Sequence, residues 1–268
     1  MEILISIITM SSLGLLFSLG LVFAYRKLKV EEDPRVEKML EILPQANCGA
    51  CGYSGCRAFA EALVKGAVQP NGCPVAGKEA ADQVANILGL REAEFIKKIA
   101  RIHCRGSTEA APSRGNYLGI ATCYAAYLIG GNKQCTYGCL SLGDCVRACP
   151  FDAMSMSEEG LPLVRDDKCT ACGICVDACP TNICELHPIE QNFLVFCRSE
   201  DRGARARKVC KNACIACGLC VRACPEAIAL ENNLAVIIDY KKINPEKIPE
   251  IEKCPTDSIG LIKKTENE

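Results

Sequence analysis

The chain has 268 residues, of which 22 are cysteine and none is tryptophan, and its formal net charge is −1. This near-neutral charge gives no indication of a nucleic-acid partner or of a strongly charged partner surface. A disulfide scaffold is also disfavoured, because that inference from cysteine content applies to short secreted chains. Length and composition allow one membrane segment and about two globular domains.

The first predicted element is a membrane-spanning helix. No charged residue occurs from Ile3 to Tyr25, which as a helix covers about 34 Å, against a hydrocarbon core of about 30 Å. A cleaved signal peptide is the alternative, but no basic segment precedes the apolar run. Arg26, Lys27 and Lys29 follow it, whereas only Glu2 precedes it. The positive-inside rule therefore predicts a single pass through the cytoplasmic membrane, with the N-terminus outside and the rest cytoplasmic.

A small, mainly helical iron–sulfur module is predicted next. Its cysteines have the spacing C-x2-C-x4-C-x16-C and are Cys48, Cys51, Cys56 and Cys73. Gly49, Gly52 and Gly55 free the backbone for a close approach to a cluster. The apolar rhythm predicts a helix from Arg57 to Val68 and an amphipathic helix from Ala76 to Ile102. Four cysteines also suit zinc, so spacing alone leaves both metals open.

The most specific motif is CTACGICVDACP, from Cys169 to Pro180. Three cysteines spaced by two residues, with a fourth directly before a proline, form the bacterial-type ferredoxin motif for a 4Fe-4S cluster. The cysteine before the proline ligates the other cluster of a two-cluster ferredoxin, so the motif requires a partner. That partner is CTYGCLSLGDCVRACP, from Cys135 to Pro150. Zinc sites usually pair two C-x2-C knuckles, so this crowding favours iron–sulfur chemistry.

The cysteine pattern repeats with an offset of 75 residues. The hexapeptide CVRACP begins at Cys145 and again at Cys220, which indicates a tandem duplication. The two copies have lost different cysteines. In the first copy, Leu142 stands where the second copy has Cys217. In the second copy, the trailing cysteine triplet is replaced by Asn244, Lys247 and Glu250.

Cross-ligation between motifs assigns the predicted ligands. One complete set is Cys149, Cys169, Cys172 and Cys175. A second complete set is Cys214, Cys217, Cys220 and Cys254. A third, incomplete set is Cys139, Cys145 and Cys179, for which Cys135 is the nearest further ligand in sequence. The site of Cys224 is predicted to be empty, because its three partners have been replaced. With the N-terminal module, the chain is expected to hold at least three clusters, and four if the incomplete set is filled.

Six cysteines have no assignment from spacing: Cys104, Cys123, Cys184, Cys197, Cys210 and Cys224. A further site of undefined spacing and simple packing as small hydrophobic side chains are both open for them. Cys123, Cys135 and Cys139 are mirrored, with a slip of one residue, by Cys197, Cys210 and Cys214. His103, beside Cys104, could be a ligand, although a lone histidine is more often structural.

The predicted fold class is α+β, with four segments. These are a transmembrane anchor at 1–29, the C-x2-C-x4-C-x16-C module at 30–102, and ferredoxin-like modules at 103–190 and 191–268. Short hairpins are expected at Met154 to Val164 and around Leu234 to Tyr240, with a helix after each Cys-Pro pair. No phosphate-binding loop and no nucleophile–base arrangement occurs, so we expect electron transfer without bond-making chemistry.

The order of membrane helix, NCGACGYSGC module and duplicated ferredoxin motifs resembles the B subunit of the Rnf complex, over essentially the whole chain. The stretch CTYGCLSLGDCVRACPF is similar to the extended B subunits of anaerobes. This resemblance implies an electron-transfer subunit of a membrane-bound, ferredoxin-oxidising complex that translocates Na⁺ or H⁺. The implied partners are reduced ferredoxin and membrane subunits that carry flavin and iron–sulfur centres.

Two other interpretations of the sequence are open. The first is a membrane-tethered polyferredoxin that delivers electrons to a hydrogenase or another reductase. The second is a zinc-stapled scaffold without clusters. The lost triplet at Asn244, Lys247 and Glu250 departs from the fully loaded family pattern, so no cluster count is carried over from the family.

Overall fold

A long apolar helix begins the chain. The computed structural model describes residues 2–28, 33–91 and 94–262, and helix α1 spans Glu2–Leu28. Its segment Leu4–Leu28 has a mean hydropathy of 2.1 and is long enough to cross a membrane. None of this segment is buried against the rest of the described chain. Lys29 and Glu31, in the predicted basic flank and the acidic stretch after it, lie outside the described residues.

Three helices form the next module: α2 (Pro34–Ile42), α3 (Cys56–Val64) and α4 (Gly77–Leu88). Their apolar faces bury Met39, Phe59, Leu63 and Val84 almost completely. The predicted helix from Ala76 to Ile102 is wrong beyond Leu88. Gly89 takes a left-handed conformation with φ of 66° and ends α4, since glycine pays no Cβ penalty there.

The first ferredoxin-like module contains two small antiparallel sheets. Strand β1 (Lys98–Ile102) pairs with β4 (Cys184–Pro188), and β2 (Met154–Met156) pairs with β3 (Pro162–Val164). Its helices are α5 (Cys123–Leu128), α6 (Asp144–Arg147) and α7 (Ile174–Asp177). The pairing of β1 with β4 attaches residues 98–102 to this module, whereas the sequence placed them in the preceding one.

The second ferredoxin-like module repeats that plan. Strand β5 (Phe193–Val195) pairs with β8 (Ile259–Leu261), and β6 (Ile228–Glu231) pairs with β7 (Leu234–Ile237). Its helices are α8 (Gly203–Val209), α9 (Leu219–Ala223) and α10 (Ile248–Ile251). The expected hairpin around Leu234 is therefore present, and it begins earlier, at Ile228.

The sheet register defines which residues of the two copies correspond. Ile102 lies opposite Cys184, and Val195 lies opposite Ile259, the residue 75 positions after Cys184. Cys104, two residues after Ile102, is therefore the counterpart of Cys197. The mirroring of Cys123 by Cys197 was wrong, because the first copy has a longer segment, containing α5, between Cys104 and Cys135.

Helices precede the Cys-Pro pairs instead of following them. Helices α6, α7, α9 and α10 each end just before a Cys-Pro pair, and a turn that leads into a strand follows. Cys224, for example, has φ of −145° and ψ of 73°. Proline disfavours the helical conformation of the residue before it, so the chain leaves the helix at the cysteine. The prediction of helices after these pairs is therefore wrong.

Candidate iron–sulfur centres

The N-terminal module carries four cysteines on and after a glycine-rich loop. We call Cys48, Cys51, Cys56 and Cys73 site 1. Burial raises the pKa of Cys73, and repulsion from Cys51 and Cys56 adds to this rise, which places the three thiols close together. The amide of Cys56 donates to Asn47 Oδ1 at 2.9 Å. A Cβ at Gly55 would lie 2.7 Å from the same oxygen, so only glycine fits beside it.

A small cavity in the first ferredoxin-like module is lined by the first complete cysteine set predicted. We call this set, Cys149, Cys169, Cys172 and Cys175, site 2. Burial raises the pKa of Cys175 to about 12, and the neighbouring thiols add to the rise. The amide of Ala100, in β1, donates to Cys169 Sγ at 3.4 Å. Such bonds from backbone amides favour the thiolate form that binds metal.

The second complete predicted set lines a similar small cavity in the second module. We call this set, Cys214, Cys217, Cys220 and Cys254, site 5. Burial raises the pKa of Cys220 to about 11. Ser258 Oγ lies 3.3 Å from Cys254 Sγ and Thr256 Oγ1 lies 3.6 Å from it, so hydroxyl groups supply hydrogen bonds at this edge of the site.

The incomplete set gains a partner that sequence spacing did not identify. A small cavity is lined by Cys139, Cys145 and Cys179, together with Cys123 and Cys184, but not by Cys135. The sulfur of Cys123 accepts hydrogen bonds from the backbone amides of Asp144 and Leu142, beside the position where the second copy has Cys217. We call Cys123, Cys139, Cys145 and Cys179 site 3.

Cys184 has a different role beside site 3. Its thiol hydrogen-bonds to both Cys145 and Cys179, which lowers the pKa of Cys145 and lowers that of Cys179 to about 5. The same two bonds raise the pKa of Cys184 far above its ordinary value. Cys184 therefore lies against the sulfurs of both Cys145 and Cys179, and Ile259 stands at its position in the second copy.

A fourth cavity lies between the two modules. It is small, and the four cysteines that we call site 4 line it: Cys104, Cys135, Cys197 and Cys210. Cys135, which the sequence assigned to the incomplete set, therefore belongs to a different group. Cys139 also touches this cavity, but its counterpart Cys214 belongs to site 5, so the repeat places Cys139 in site 3.

The loops that carry the leading cysteines share a backbone signature. Ser141, Ala171 and Ala216 have φ of 60°, 58° and 53°, and the glycines two residues later have φ of 77°, 80° and 71°. In the second copy, the corresponding loop has been replaced by a 3-10 turn at Pro245–Lys247 that continues into α10. Site 3 thus keeps the loop shape despite Leu142, whereas the predicted empty site has lost it.

Cys224 lies in this altered region of the second copy. It is buried, and its sulfur lies 3.8 Å from the carbonyl oxygen of Lys242. The side chains of Lys247 and Glu250, at former ligand positions, form an ion pair at 3.1 Å. These contacts agree with an empty site at Cys224, which stays a prediction.

His103 lines none of the cysteine cavities found in the described part of the chain. Its Nδ1 lies 2.8 Å from the carbonyl oxygen of Val195, and its Nε2 lies 2.8 Å from His187 Nε2. Burial lowers its pKa to about 4, so the ring is neutral at pH 7. The ring directly follows β1 and contacts β5, and it groups with Glu185 and His187 instead of with cysteines, which does not support the suggestion that it is a cluster ligand.

The donor chemistry of sites 2 to 5 fits 4Fe-4S clusters. Each site offers four cysteine sulfurs around a small cavity. In sites 2 and 5, three of the four sulfurs come from one C-x2-C-x2-C loop, which is typical of a 4Fe-4S cluster, whereas zinc sites usually pair two C-x2-C knuckles. Because burial raises most of these thiol pKa values, iron must displace protons when it binds.

Neighbouring sites lie near one another in a fixed order. Repulsion from Cys48 adds to the effect of burial in raising the pKa of Cys172, so site 1 lies near site 2. Cys145 contributes in the same way at Cys175, so site 2 adjoins site 3. Site 4 is in hydrogen-bond contact with sites 3 and 5, through the sulfurs of Cys104 and Cys197.

Comparison with known proteins identifies two iron–sulfur regions in the chain. Residues 43–75 match the "Fe-S cluster" family model, and residues 134–183 match the "4Fe-4S dicluster domain" model. The chain is 45% identical over 260 residues to the B subunit of the Na⁺-translocating ferredoxin:NAD⁺ oxidoreductase complex of Acetobacterium woodii, covering 96% of this chain and 78% of the relative.

Two further relatives have related names. The chain is 40% identical over 264 residues to the B subunit of the proton-translocating ferredoxin:NAD⁺ oxidoreductase complex of Clostridium ljungdahlii, covering 97% of this chain and 93% of the relative. It is 36% identical over 207 residues to the B subunit of the ion-translocating oxidoreductase complex of Methanosarcina acetivorans, covering 77% and 78%.

Proposed function

Because the chain belongs to the family of B subunits of ion-translocating ferredoxin:NAD⁺ oxidoreductase (Rnf) complexes, we propose that it accepts electrons from reduced ferredoxin and relays them to the other subunits. Its own cysteines hold the 4Fe-4S clusters, which supply one-electron redox chemistry when bound. We propose as ligands the four cysteines of each of sites 1, 2, 3 and 5. In site 3, Cys123 replaces Cys135, the ligand that sequence spacing had suggested.

The contiguity of sites 1, 2 and 3 carries this proposal. Electron transfer falls off steeply with distance, so a relay needs neighbouring centres without large gaps. Electrostatic repulsion between Cys48 and Cys172, and between Cys175 and Cys145, supports an arrangement of the three sites in a row. The side chains packed around sites 2 and 3 are largely apolar, which limits the access of water to the thiolates there. The chain thus transfers electrons between clusters, and other subunits carry out the bond-making chemistry.

The protein is membrane-bound, and α1 is its proposed anchor. Its apolar side chains are exposed along the whole helix, which is costly in water and favourable in lipid. Arg26 and Lys27 lie in its last turn. By the positive-inside rule, we propose that the N-terminus is outside and that the iron–sulfur modules face the cytoplasm, where reduced ferredoxin is available.

Anaerobic reduction by ferredoxin tests the electron-transfer role. The purified full-length chain should be brown, and its visible absorbance should bleach when it is mixed with catalytic reduced ferredoxin and a ferredoxin-reducing system. A matched mixture without ferredoxin should react far more slowly. An iron-loaded chain that stays oxidised in the complete mixture would contradict the proposal. Zinc in place of iron would contradict the cluster assignment as well.

Deletion of residues 1–29 tests the anchor separately. The product should be soluble and should keep the iron content of the full chain, because α1 contains no cysteine. An epitope at the N-terminus of the full chain should be accessible on intact cells. A soluble fraction that lacks iron would show instead that this segment belongs to the folded core.

A further inference from the structure

Site 4 joins four cysteines from distant parts of the sequence, and no family model covers all of them. Cys104 follows β1, Cys135 lies in the first copy's loop, and Cys197 and Cys210 belong to the second copy. Cys135, Cys197 and Cys210 are buried, and Cys104 is largely so. A Cβ at Gly138 would lie 3.4 Å from the sulfurs of both Cys104 and Cys135. A Cβ at Gly106 would lie 3.3 Å from Cys104 Sγ and 3.5 Å from Cys210 Sγ.

The hydrogen bonds around site 4 follow the internal repeat. Cys104 Sγ accepts from the amides of Gly106 and Cys139 at 3.3 and 3.4 Å. Its counterpart, Cys197 Sγ, accepts from the corresponding amides of Ser199 and Cys214 at 3.4 and 3.3 Å. The same pair of bonds thus occurs twice, related by the duplication. Two amide donors to one sulfur favour the thiolate, since a hydrogen bond to the charged form stabilises that form.

A buried cation completes the site. Lys133 is only 2% exposed and lines the same cavity, and its Nζ donates to the Gly106 carbonyl at 2.9 Å. Within the described residues, no carboxylate pairs with it. A buried ammonium is expensive unless an anion lies nearby. Four neutral thiols supply no such charge, whereas a 4Fe-4S cluster with four thiolate ligands is an anion.

We propose that Cys104, Cys135, Cys197 and Cys210 hold a further 4Fe-4S cluster, which lies between the two ferredoxin-like modules. The cavity has about the same volume as those of sites 2, 3 and 5. This cluster stands between sites 3 and 5, because the Cys139 amide donates to Cys104 and the Cys214 amide donates to Cys197. It converts two separate groups of centres into one row of five. The relay role of this cluster rests on the proposed function. The presence of a cluster at site 4 does not depend on it.

Native mass spectrometry of the anaerobically purified full-length chain counts the clusters directly. Five occupied sites correspond to about twenty iron atoms, and four to about sixteen. The double variant Cys135→Ala/Cys210→Ala should lose the mass of one cluster and about four irons. The matched control is Cys224→Ala, which removes a buried thiol from the same module and should keep the wild-type count. Circular dichroism should show that both variants are folded.

A wild-type chain with four clusters, or with zinc at this position, would overturn the inference. So would a folded double variant that keeps the wild-type iron content. If the double variant does not fold, the wild-type count decides the question alone. If the chain holds five clusters but reduced ferredoxin reduces them slowly, the proposed function is contradicted and the cluster at site 4 is not. If ferredoxin reduces the chain rapidly but the chain holds four clusters, only the cluster at site 4 is contradicted.

Discussion

The two ferredoxin-like modules began as copies of one unit, and each has lost ligands at the opposite cluster position. The first copy has Leu142 in place of a leading cysteine, yet its loop keeps the positive φ angles at Ser141 and Gly143. The second copy has lost the whole trailing triplet, and a 3-10 turn at Pro245–Lys247 has replaced the loop. The first loss has left the backbone intact, whereas the second has not.

The two losses indicate when a cluster site can survive the substitution of its ligands. A single lost thiolate can be replaced from elsewhere when the loop still presents its amides to the site. In the first copy, the additional segment that contains α5 brings Cys123 to the amides of Leu142 and Asp144. The Tyr124 amide donates to Asp144 Oδ2 at 3.1 Å, which fixes α5 beside this loop. Three lost thiolates leave no site to repair.

Removing a ligand from an intact site should have the largest effect. Cys172→Ala deletes one of the four thiolates of site 2, so we expect the loss of about four irons per chain, determined by metal analysis. Sites 3 and 5 should remain, because they share no ligand with site 2. Full iron content in this variant would show that the cavity of site 2 does not hold a cluster.

The substitute ligand of the first copy gives a sharper test. Cys123→Ala should remove between one and about four irons, with a 3Fe-4S signal in the electron paramagnetic resonance spectrum if only one iron leaves. Adding Leu142→Cys should restore the missing iron, because this position corresponds to Cys217. Cys184→Ala is the control and should keep all the iron, since that thiol only donates hydrogen bonds. If Cys184→Ala lost iron and Cys123→Ala lost none, Cys184 would be the ligand of site 3 and Cys123 would not.

The charge beside site 4 should affect its redox potential. Lys133→Met removes the buried cation, so reduction becomes harder and the midpoint potential should fall. The expected shift is on the order of 60 mV, which in a one-electron couple corresponds to about 1.4 kcal/mol. The second copy offers a matched control at the corresponding position, because Lys208 is exposed and solvent screens its charge. Equal shifts in a redox titration of Lys133→Met and Lys208→Met would contradict a specific interaction with site 4.

The degenerate position should show the smallest effect. Cys224→Ala should leave the iron content unchanged and lower the free energy of unfolding by about 1 kcal/mol, the cost of a small cavity. Chemical denaturation measures this change. A loss of about four irons, comparable with that of Cys172→Ala, would instead show that Cys224 has been recruited into a cluster.

Much of the organisation was predictable from the sequence. Local spacing identifies the ligands of sites 2 and 5, because four ligands with a fixed pattern must lie in one tight loop and one distant Cys-Pro pair. The apolar run identifies α1, since only its composition and length matter. Secondary structure was less predictable near Ile99, where a helical apolar rhythm continued past Gly89 into a strand. Residues 98–102 form a strand instead of a helix because their backbone pairs with β4.

Sequence alone determined that this chain carries several 4Fe-4S clusters on a membrane anchor, that it is duplicated, and which ligands were lost. The tertiary structure was needed to show that Cys123 lines the cavity of site 3 and that Cys135 lines the cavity of site 4. It also identified Cys104 as the counterpart of Cys197, through the pairing of β1 with β4 and of β5 with β8. The physical reason is that loop spacing encodes only contacts within one motif. Ligands that come from four separate elements are brought together by sheet pairing and by the packing of the two modules, which no local pattern records.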